Sequence, residues 1–332
     1  MPAIPTLLDA LDIADVDTFD PNARWRENDS GTNLRIPLGT GWDADNSAPS
    51  TAVKTIDPTE HGVGGDGQHG TIQGENGASV GLIATLALGL CATYGPNKVN
   101  LLFVESRSRS TLPRHLKSLP QTLPSVTGFK DNPLALDILY TALCEELDHR
   151  KDVLRSFKLK DMAEYHCVKD TLVDAPSLPH IVMFVLSEND APRSVVRKLS
   201  RVFEMGAYGR SLGVHVIVVG EEHHFDVLGE FAEHISWGVS LKPSSAPASQ
   251  FLVGDDSPLG LHPSAGVVHV AGARPSYFGV LDCGDEDAMA KALTFRLSQF
   301  RREGKPSVLE RILSRVDFHV EDERGGEPSY SL

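Results

Sequence analysis

The chain has 332 residues and a formal net charge of −14, with 41% hydrophobic and 23% charged residues. Such values are ordinary for a globular protein of one to three domains, and the negative charge argues against a general binder of nucleic acids or anionic membranes. Its four cysteines are widely spaced, which argues against a disulfide framework or a zinc site. No signal segment or membrane-spanning run is evident, so we expect a cytoplasmic protein that reaches a membrane only through a partner.

Residues 1–50 are predicted to form an amino-terminal arm. The apolar stretch IPTLLDALDIADV indicates a short helix, and FDPNARW is expected to continue as an extended arm in which Trp25 packs against the core. LRIPLG, at 34–39, is a predicted strand. WDADNSAPS, at 42–50, is rich in Asp, Asn, Ser and Pro and is typical of a loop.

The core is predicted to span residues 51–284. Apolar alternation, buried apolar runs and helical periodicity indicate strands at 51–56, 69–73, 99–105, 125–129, 180–186, 214–220, 235–242, 265–272 and 276–283, and helices at 80–94, 131–157, 161–166, 192–208 and 246–252. Asp131 or Asn132 is expected to cap the longest helix. Residues 285–332 are predicted to add two helices, at 285–302 and 306–316, and a polar tail. Buried strands that alternate with helices predict an α/β fold with a mainly parallel sheet.

A glycine-rich segment, GVGGDGQHGTIQGENGASVGL, lies between a predicted strand and a predicted helix. A phosphate-binding loop needs this layout of strand, turn, helix and strand. The candidate loop residues are Gly74, Gly77, Ala78, Ser79, Val80 and Gly81. However, no lysine occurs between residues 55 and 97 to contact a phosphate.

The order of these segments, from about residue 4 to about residue 284, resembles the FtsK/SpoIIIE-type ATPase domains of EccC, the motor protein of type VII secretion. The resemblance is carried by FDPNARWR with LRIPLG, GVGGDGQHGTIQGENG, LGLCATYGPNKVNLLFVE, SLPQTLPSVTGF, LYTALCEELDHRKDVLRSF, LPHIVMFVL, GRSLGVHVIVVGE and ISWGVSLK. It implies a RecA-like P-loop NTPase core that assembles in tandem arrays and rings. The implied partners are other EccC-type ATPase domains and secreted proteins, and ATP or ADP is the implied ligand.

The chain departs from the family pattern at the phosphate loop. An active loop reads GxxxxGK[ST], in which the Lys contacts the β and γ phosphates and the hydroxyl binds Mg²⁺. When the pattern is counted from Gly74, the positions of the final Gly, Lys and Ser/Thr are held by Ser79, Val80 and Gly81. When it is aligned from the downstream helix, the register shifts by one, and Ser79 and Val80 stand where the Lys and the Ser would be. Without another cation, we expect hydrolysis to fall by orders of magnitude.

Two further positions of the pattern differ. The resemblance places Leu186 and Ser187 where the family has Asp-Glu, the Asp for Mg²⁺ and the Glu for water activation. Glu188 and Asp190 follow closely and are the candidate substitutes. A shift of two residues along an extended strand is about 6–7 Å, so such a carboxylate would have to reach back from the loop. Glu221 and Glu222 stand where Gln-Arg is frequent, and two acids would repel a nucleotide. Arg210, in GRSLG, matches an arginine of the motif. It either acts on a neighbour's nucleotide across a ring interface or supports its own loop.

Other patterns are weighed against simpler interpretations. EEHHFD, at 221–226, has the residue types of a metal site, but adjacent histidines point apart on extended backbone, which favours a polar loop. Its acids, with Glu188 and Asp190, would form either an acidic pocket for a cationic or peptide ligand or a solvated rim. Ser79, His69 and Asp66 lack the G-x-S-x-G context of a hydrolase. RSRSTLPRHLK, at 107–117, is interpreted as a solvated basic loop.

These observations predict a catalytically degenerate ATPase-like module of a type VII secretion motor. Its role would be structural, regulatory or substrate-docking. Two alternatives stay open: the module binds nucleotide without hydrolysing it, using backbone N–H groups around Gly74–Gly81, or a neighbouring subunit completes an active ATPase.

Overall fold

The structure is a computed structural model that describes residues 6–43, 48–74, 76–187, 191–220, 228–241, 265–281, 288–300 and 305–316. The strands are β1 (Ile36–Asp43), β2 (Ala48–Ile56), β3 (His69–Gln73), β4 (Val99–Glu105), β5 (Val126–Thr127), β6 (His180–Leu186), β7 (Val214–Gly220), β8 (Ile235–Leu241), β9 (Ala265–Val270) and β10 (Ser276–Val280). The α-helices are α1 (Leu7–Ala10), α2 (Pro21–Asn28), α3 (Asn76–Thr93), α4 (Leu134–Ser156), α5 (Met162–Val168), α6 (Arg193–Tyr208), α7 (Ala288–Ser298) and α8 (Val308–Leu313).

The described strands form one mixed sheet in the order β2-β1-β10-β9-β8-β3-β7-β6-β4-β5. From β8 to β5 all neighbouring strands are parallel. Their apolar runs arise because helices cover both faces of this half of the sheet. β4 and β6 pair from Val99↔His180 to Glu105↔Leu186, so their carboxyl ends meet at the same edge. The predicted mainly parallel sheet is confirmed.

The other half of the sheet is antiparallel. β9, β10 and β1 extend it from β8, and β2 closes it by pairing with β1. β1 lies before residue 50, within the predicted arm, yet it is a member of the same sheet as the core strands. The division of the chain at residues 50 and 284 stays a prediction.

Helices cover the two faces of the sheet and enclose two hydrophobic cores. α3 and α7 pack on one face, together with α1 and α2. α4, α5, α6 and α8 pack on the other. No described helix combines the length and the apolar character of a membrane span.

A buried ion pair on α4 joins several elements. Arg150 Nε donates to Glu146 Oε1 at 2.8 Å, and both side chains are at most 1% exposed. The guanidinium also donates to the carbonyl oxygens of Leu212 and Pro179, both at 2.7 Å. The second oxygen of Glu146 accepts from Leu309 N at 3.0 Å, in the first turn of α8. One charge pair therefore holds α8 and the chain before β6 and β7 against α4.

The arm differs from its prediction. FDPNARW is helical over α2 rather than extended, because Asp20 accepts from Asn22 N at 3.0 Å as the N-cap and Pro21 suits the first helical position. The role of Trp25 as an anchor is confirmed: it is 8% exposed, and its Nε1 donates to Cys91 O at 2.9 Å.

The long helix also starts differently. Pro133 is the N-cap residue of α4, without a side-chain cap, although Asn132 Oδ1 accepts from Leu134 N at 3.3 Å. The predicted helix at 246–252 and the polar tail lie outside the described residues.

Candidate functional site

A small cavity opens at the carboxyl edge of the parallel strands, where α/β folds usually bind ligands. Its volume is about 30 Å³. About two water molecules would fill that space, whereas ligand pockets usually measure about 300–1,000 Å³. The residues that line it come from α3 and from the ends of β4, β6 and β7: Ser79, Val80, Ile83, Glu105, Ser106, Arg107, Thr111, Leu186, Ser187, Val219 and Gly220.

The predicted phosphate loop is largely helical. α3 begins at Asn76, four residues before the predicted start at residue 80, so Gly77, Ala78 and Ser79 are helical instead of forming a loop. Val80 and Gly81 lie in the helix, as the predicted helix at 80–94 requires. In a helix, each N–H beyond the first turn donates to the carbonyl four residues back. The N–H groups of Val80 and Gly81 are therefore bonded within α3, and only the first turn retains donors for an anion.

Ser79 is turned toward the chain itself. It is 3% exposed, and its Oγ donates to Gly74 O at 3.0 Å. Gly74 is held at the end of β3, where its N–H donates to Gly220 O at 3.2 Å. A Cβ on Gly74 would lie 2.7 Å from Leu241 Cβ, which explains why glycine occupies this position. The hydroxyl of Ser79, which stands at the Gly or the Lys position of the pattern depending on the register, thus closes the strand-to-helix connection.

Leu186 and Ser187, at the end of β6, line the cavity. The Leu186 carbonyl accepts from Ser106 N at 3.0 Å, and Ser187 N donates to Val219 O at 3.2 Å. Neither side chain offers a carboxylate to Mg²⁺. Glu188 and Asp190, weighed as substitutes, lie outside the described residues.

Glu105 brings a carboxylate to the cavity from the adjacent strand. It pairs with Leu186 in the β4–β6 register and is 2% exposed. Its oxygens accept from Ser110 Oγ at 2.7 Å and Thr111 N at 3.0 Å. Sequence reasoning missed this residue because it looked for acids only after β6. The available signal was that VNLLFVE and HIVMFVL are apolar runs of equal length that can end together.

Arg107 was missed as well. Among the described residues that line the cavity, it is the only cation. Its backbone is held by Gly128 N, which donates to Arg107 O at 2.9 Å. Sequence reasoning placed this residue in a solvated basic loop; the strand order brings the start of that loop to the mouth of the cavity.

Arg210 lies at the opposite edge of the sheet. It belongs to a 3₁₀ turn, Arg210–Leu212, that precedes β7, and it lines a small pocket with His180 and His215. β7 has seven residues, so at about 3.3 Å per residue Arg210 is about 20 Å from the cavity. It therefore does not reach the cavity of its own chain. Whether it acts on a neighbouring subunit or supports its own turn stays open.

The remaining patterns give no catalytic site in the described residues. His69 begins β3, whereas Ser79 lies on α3, which follows the other end of that strand, so they cannot form a hydrolase pair. His69 Nδ1 instead accepts from Val216 N at 3.1 Å. Residues 221–226, including Glu221 and Glu222, are outside the described chain. In the described part, no group of three or more His, Cys, Asp or Glu side chains is arranged so that it could hold a metal ion.

Comparisons with known proteins point in one direction. The chain is 30% identical over 245 residues to the ESX-4 secretion system protein EccC4 of Mycobacterium tuberculosis, which covers 73% of this chain and 19% of the relative. It is 28% identical over 264 residues to the ESX secretion system protein EccC of Thermomonospora curvata, covering 79% of this chain and 19% of the relative. Its homologues are the EccC and EssC ATPases of type VII secretion systems. The chain spans about a fifth of the length of these two relatives, and no protein-family model matches it.

Solved structures show the same fold. The cytoplasmic domain of the T. curvata type VII secretion ATPase EccC superposes with a TM-score of 0.79 at 22% identity, over 92% of this chain and 36% of that one. ATPases 2 and 3 of the same EccC, solved in complex with a signal sequence peptide, superpose with a TM-score of 0.59 at 14% identity, over 85% of this chain and 47% of that one. The RecA-like P-loop ATPase fold expected for an EccC homologue is thereby confirmed.

Proposed function

We propose that this chain is a hydrolytically inactive ATPase-like module of a type VII secretion motor, with a structural, regulatory or substrate-docking role in protein export. The observation that carries the proposal is the cavity at the carboxyl edge of the sheet. Its described lining has no lysine, Leu186 and Ser187 replace the acidic pair, and the Ser79 hydroxyl is engaged by Gly74 O.

Electrostatics supports this proposal. Hydrolysis of ATP requires cations that stabilise the charge of the transferred phosphate and a base that orients water. The buried carboxylate in the cavity, Glu105, is already bonded to Ser110 and Thr111, and without Mg²⁺ its charge disfavours a phosphate.

The test is a phosphate-release assay on the purified chain, alone and mixed with partner ATPase domains. We expect the chain alone to release no phosphate above the background of a heat-denatured sample, and steady release from it would contradict the proposal. If the mixture releases more phosphate than the partner domains alone, and Arg210→Ala abolishes the excess, the chain supplies an arginine to a neighbouring subunit.

A second candidate, nucleotide binding without hydrolysis, is favoured by Arg107. Arg107 lines the same cavity as Ser79 in the first turn of α3, and an arginine side chain pairs with phosphate through parallel hydrogen bonds. The cavity would have to widen to admit a nucleotide.

Calorimetry with Mg-ATP and Mg-ADP tests this candidate. If the nucleotide binds through Arg107, Arg107→Ala should weaken binding by about tenfold or more. Arg109→Ala is the matched control, because Arg109 is an exposed arginine of the same loop that does not line the cavity. The absence of heat at millimolar nucleotide would exclude the candidate.

The partners follow from the relatives. We propose that the module packs against other EccC-type ATPase domains in a ring at the cytoplasmic face of the membrane. The signal sequence peptide bound by T. curvata EccC supports a docking role for secreted substrates. Analytical ultracentrifugation of the chain with neighbouring ATPase domains tests the packing. Sedimentation of every component as a separate monomer would contradict it.

A further inference from the structure

Four buried histidines gather at the amino edge of the sheet, opposite the cavity. We call His69, His166, His180 and His215 the histidine cluster. His69 and His180 begin β3 and β6, His215 is the second residue of β7, and His166 lies on α5. Each is at most 5% exposed. The cluster is unrelated to the proposed function, since none of its members reaches the carboxyl edge.

Three of the rings form a continuous row of contacts between α5 and the sheet: His166 stacks on His180, and His180 meets the tilted ring of His215. The rings of His166 and His180 are nearly parallel, 14° apart, with centroids separated by 4.5 Å. His180 Nδ1 lies 2.9 Å from His215 Nε2, within hydrogen-bond distance. α5 therefore contacts the central strands β6 and β7 through imidazole rings.

These contacts require neutral rings. The bond between His180 and His215 needs one N–H and one free lone pair, and a proton on the acceptor would set two N–H groups against each other. His69 Nδ1 likewise accepts from Val216 N, so it carries no proton. Neither ring nitrogen of His166 has a hydrogen-bond partner in the described structure, so no acceptor is placed to stabilise its charged form.

The charges around the cluster oppose protonation. Burial, followed by the other histidines and by Lys98 and Arg150, holds the pKa of His180 well below its usual value. Burial, followed by Lys98, Lys169 and Arg150, does the same to the pKa of His166. Other titratable or charged groups also face the cluster. On and around α5 they are Asp161, Tyr165, Cys167, Lys169 and Asp170, with Asp29 paired to Lys169. From the other elements they are Glu60, Lys98, Glu146, Arg150, Arg210 and His234.

We propose that the histidine cluster is an acid-sensitive latch, which releases α5 and the chain around it from the amino edge of the sheet when its rings are protonated. α5 is the part that yields, because β6 and β7 are held on both sides by parallel strands. α5 has only seven residues, and much of the chain that follows it is exposed, with Val173 82% exposed. Release would open the small pocket beside Arg210, because Asp161, Met162 and Ala163 line one side of it.

Hydrogen exchange read by mass spectrometry tests the latch on the full chain. Protection factors, corrected for the pH dependence of intrinsic exchange, are measured from about pH 7.5 to 5 for peptides that cover residues 160–179 and for peptides from α3. Opening that takes up one or two protons should lower protection about tenfold to a hundredfold per pH unit below about pH 6.5. Peptides from α3 should remain better protected than residues 160–179 at every pH, because their exchange requires more than the local release of α5.

His166→Phe is the decisive variant, since it keeps a stacking ring that takes no proton. We call the loss of protection per pH unit over residues 160–179 the slope. In this variant the slope should be about tenfold smaller than in the wild type, because one proton fewer is taken up. His149→Phe is the control, because His149 is exposed on α4, and it should keep the wild-type slope. His180→Gln removes a second proton site and provides an independent reading if His166→Phe is poorly folded.

Three results would overturn the proposal. One is constant protection over residues 160–179 across the pH range in the wild type. Another is an unchanged slope in both cluster variants. The third is protection over residues 160–179 that equals the protection of α3 at every pH, which would show that α5 opens only by global unfolding.

Discussion

Gly70 lies against the indole ring of Trp237. A Cβ at this position would approach Trp237 Cε2 to 2.2 Å, and the indole cannot withdraw easily, since it is 1% exposed and its Nε1 donates to Gly67 O at 3.0 Å. Close packing of β3 on β8 therefore requires glycine here. Gly77 is the opposite case, because a Cβ there would meet no atom within 4 Å.

We expect Gly70→Ala to lower the free energy of unfolding by about 1–3 kcal/mol, because the added methyl group overpacks a rigid site. Gly77→Ala, the matched control in α3, should raise it by up to about 1 kcal/mol through helix propensity. Urea denaturation measures both. A Gly70→Ala protein as stable as the wild type would show that Trp237 moves without loss.

Residues of the candidate site were only partly predictable. Ser79, Leu186 and Ser187 were found by counting along motifs, because each belongs to a segment whose own pattern locates it. Glu105 and Arg107 were not found, because their proximity to those residues depends on which strands are neighbours.

At the scale of elements, α4 links the helical layer to the chain before the parallel strands. Burial acts to raise the pKa of Glu146, but Arg150 and the Leu309 N–H outweigh it, and the pKa is lowered overall. The carboxylate is therefore charged at neutral pH, and the first turn of α8 is bonded to a buried anion.

Arg150→Met should lower the free energy of unfolding by about 3–5 kcal/mol, because it leaves Glu146 charged, buried and unpaired. Arg155→Met on the same helix is the control: its pair with Asp152, at 3.3 Å, is about three-quarters exposed on both sides. Such a surface pair contributes less than about 1 kcal/mol. Urea denaturation compares the two variants, and equal losses would contradict the assigned role of the buried pair.

At the scale of the whole molecule, the histidines make folding dependent on pH. Burial is the main cause that lowers the pKa of His69 to about 3 and that of His215 to about 4. Both lie below the ordinary value of 6.5, so the unfolded chain binds more protons at mildly acidic pH. Stability is therefore fully present above about pH 6.5 and is lost as the pH falls below it.

We expect the free energy of unfolding to fall by about 2 kcal/mol for each of these two histidines between about pH 7 and pH 5. Urea midpoints measured across this range test the expectation. The exposed His149 offers a control, since His149→Gln should leave the pH dependence unchanged. A midpoint that is constant or rises toward acid would contradict the assignment.

The fold was predictable where local pattern and burial agree. Strands β4 and β6 were predicted with the bounds that the structure has, since burial on both faces yields an unbroken apolar run. The pairing of β1 with β10 was not predictable, because it joins segments more than 230 residues apart in the chain. α3 was predicted too short, since a glycine-rich stretch is as compatible with a helix start as with a loop.

The α/β class and the relationship to type VII secretion ATPases could be inferred from residue type and from order along the chain. The proposed absence of lysine and of the acidic pair rests on the same information. By contrast, strand order and packing place Gly77–Ser79 in the start of α3, bring Glu105 and Arg107 to the cavity, and put Arg210 and the buried histidines at the other edge. Such placements depend on strand order and register, which arise from packing between distant segments and leave no mark in any one of them.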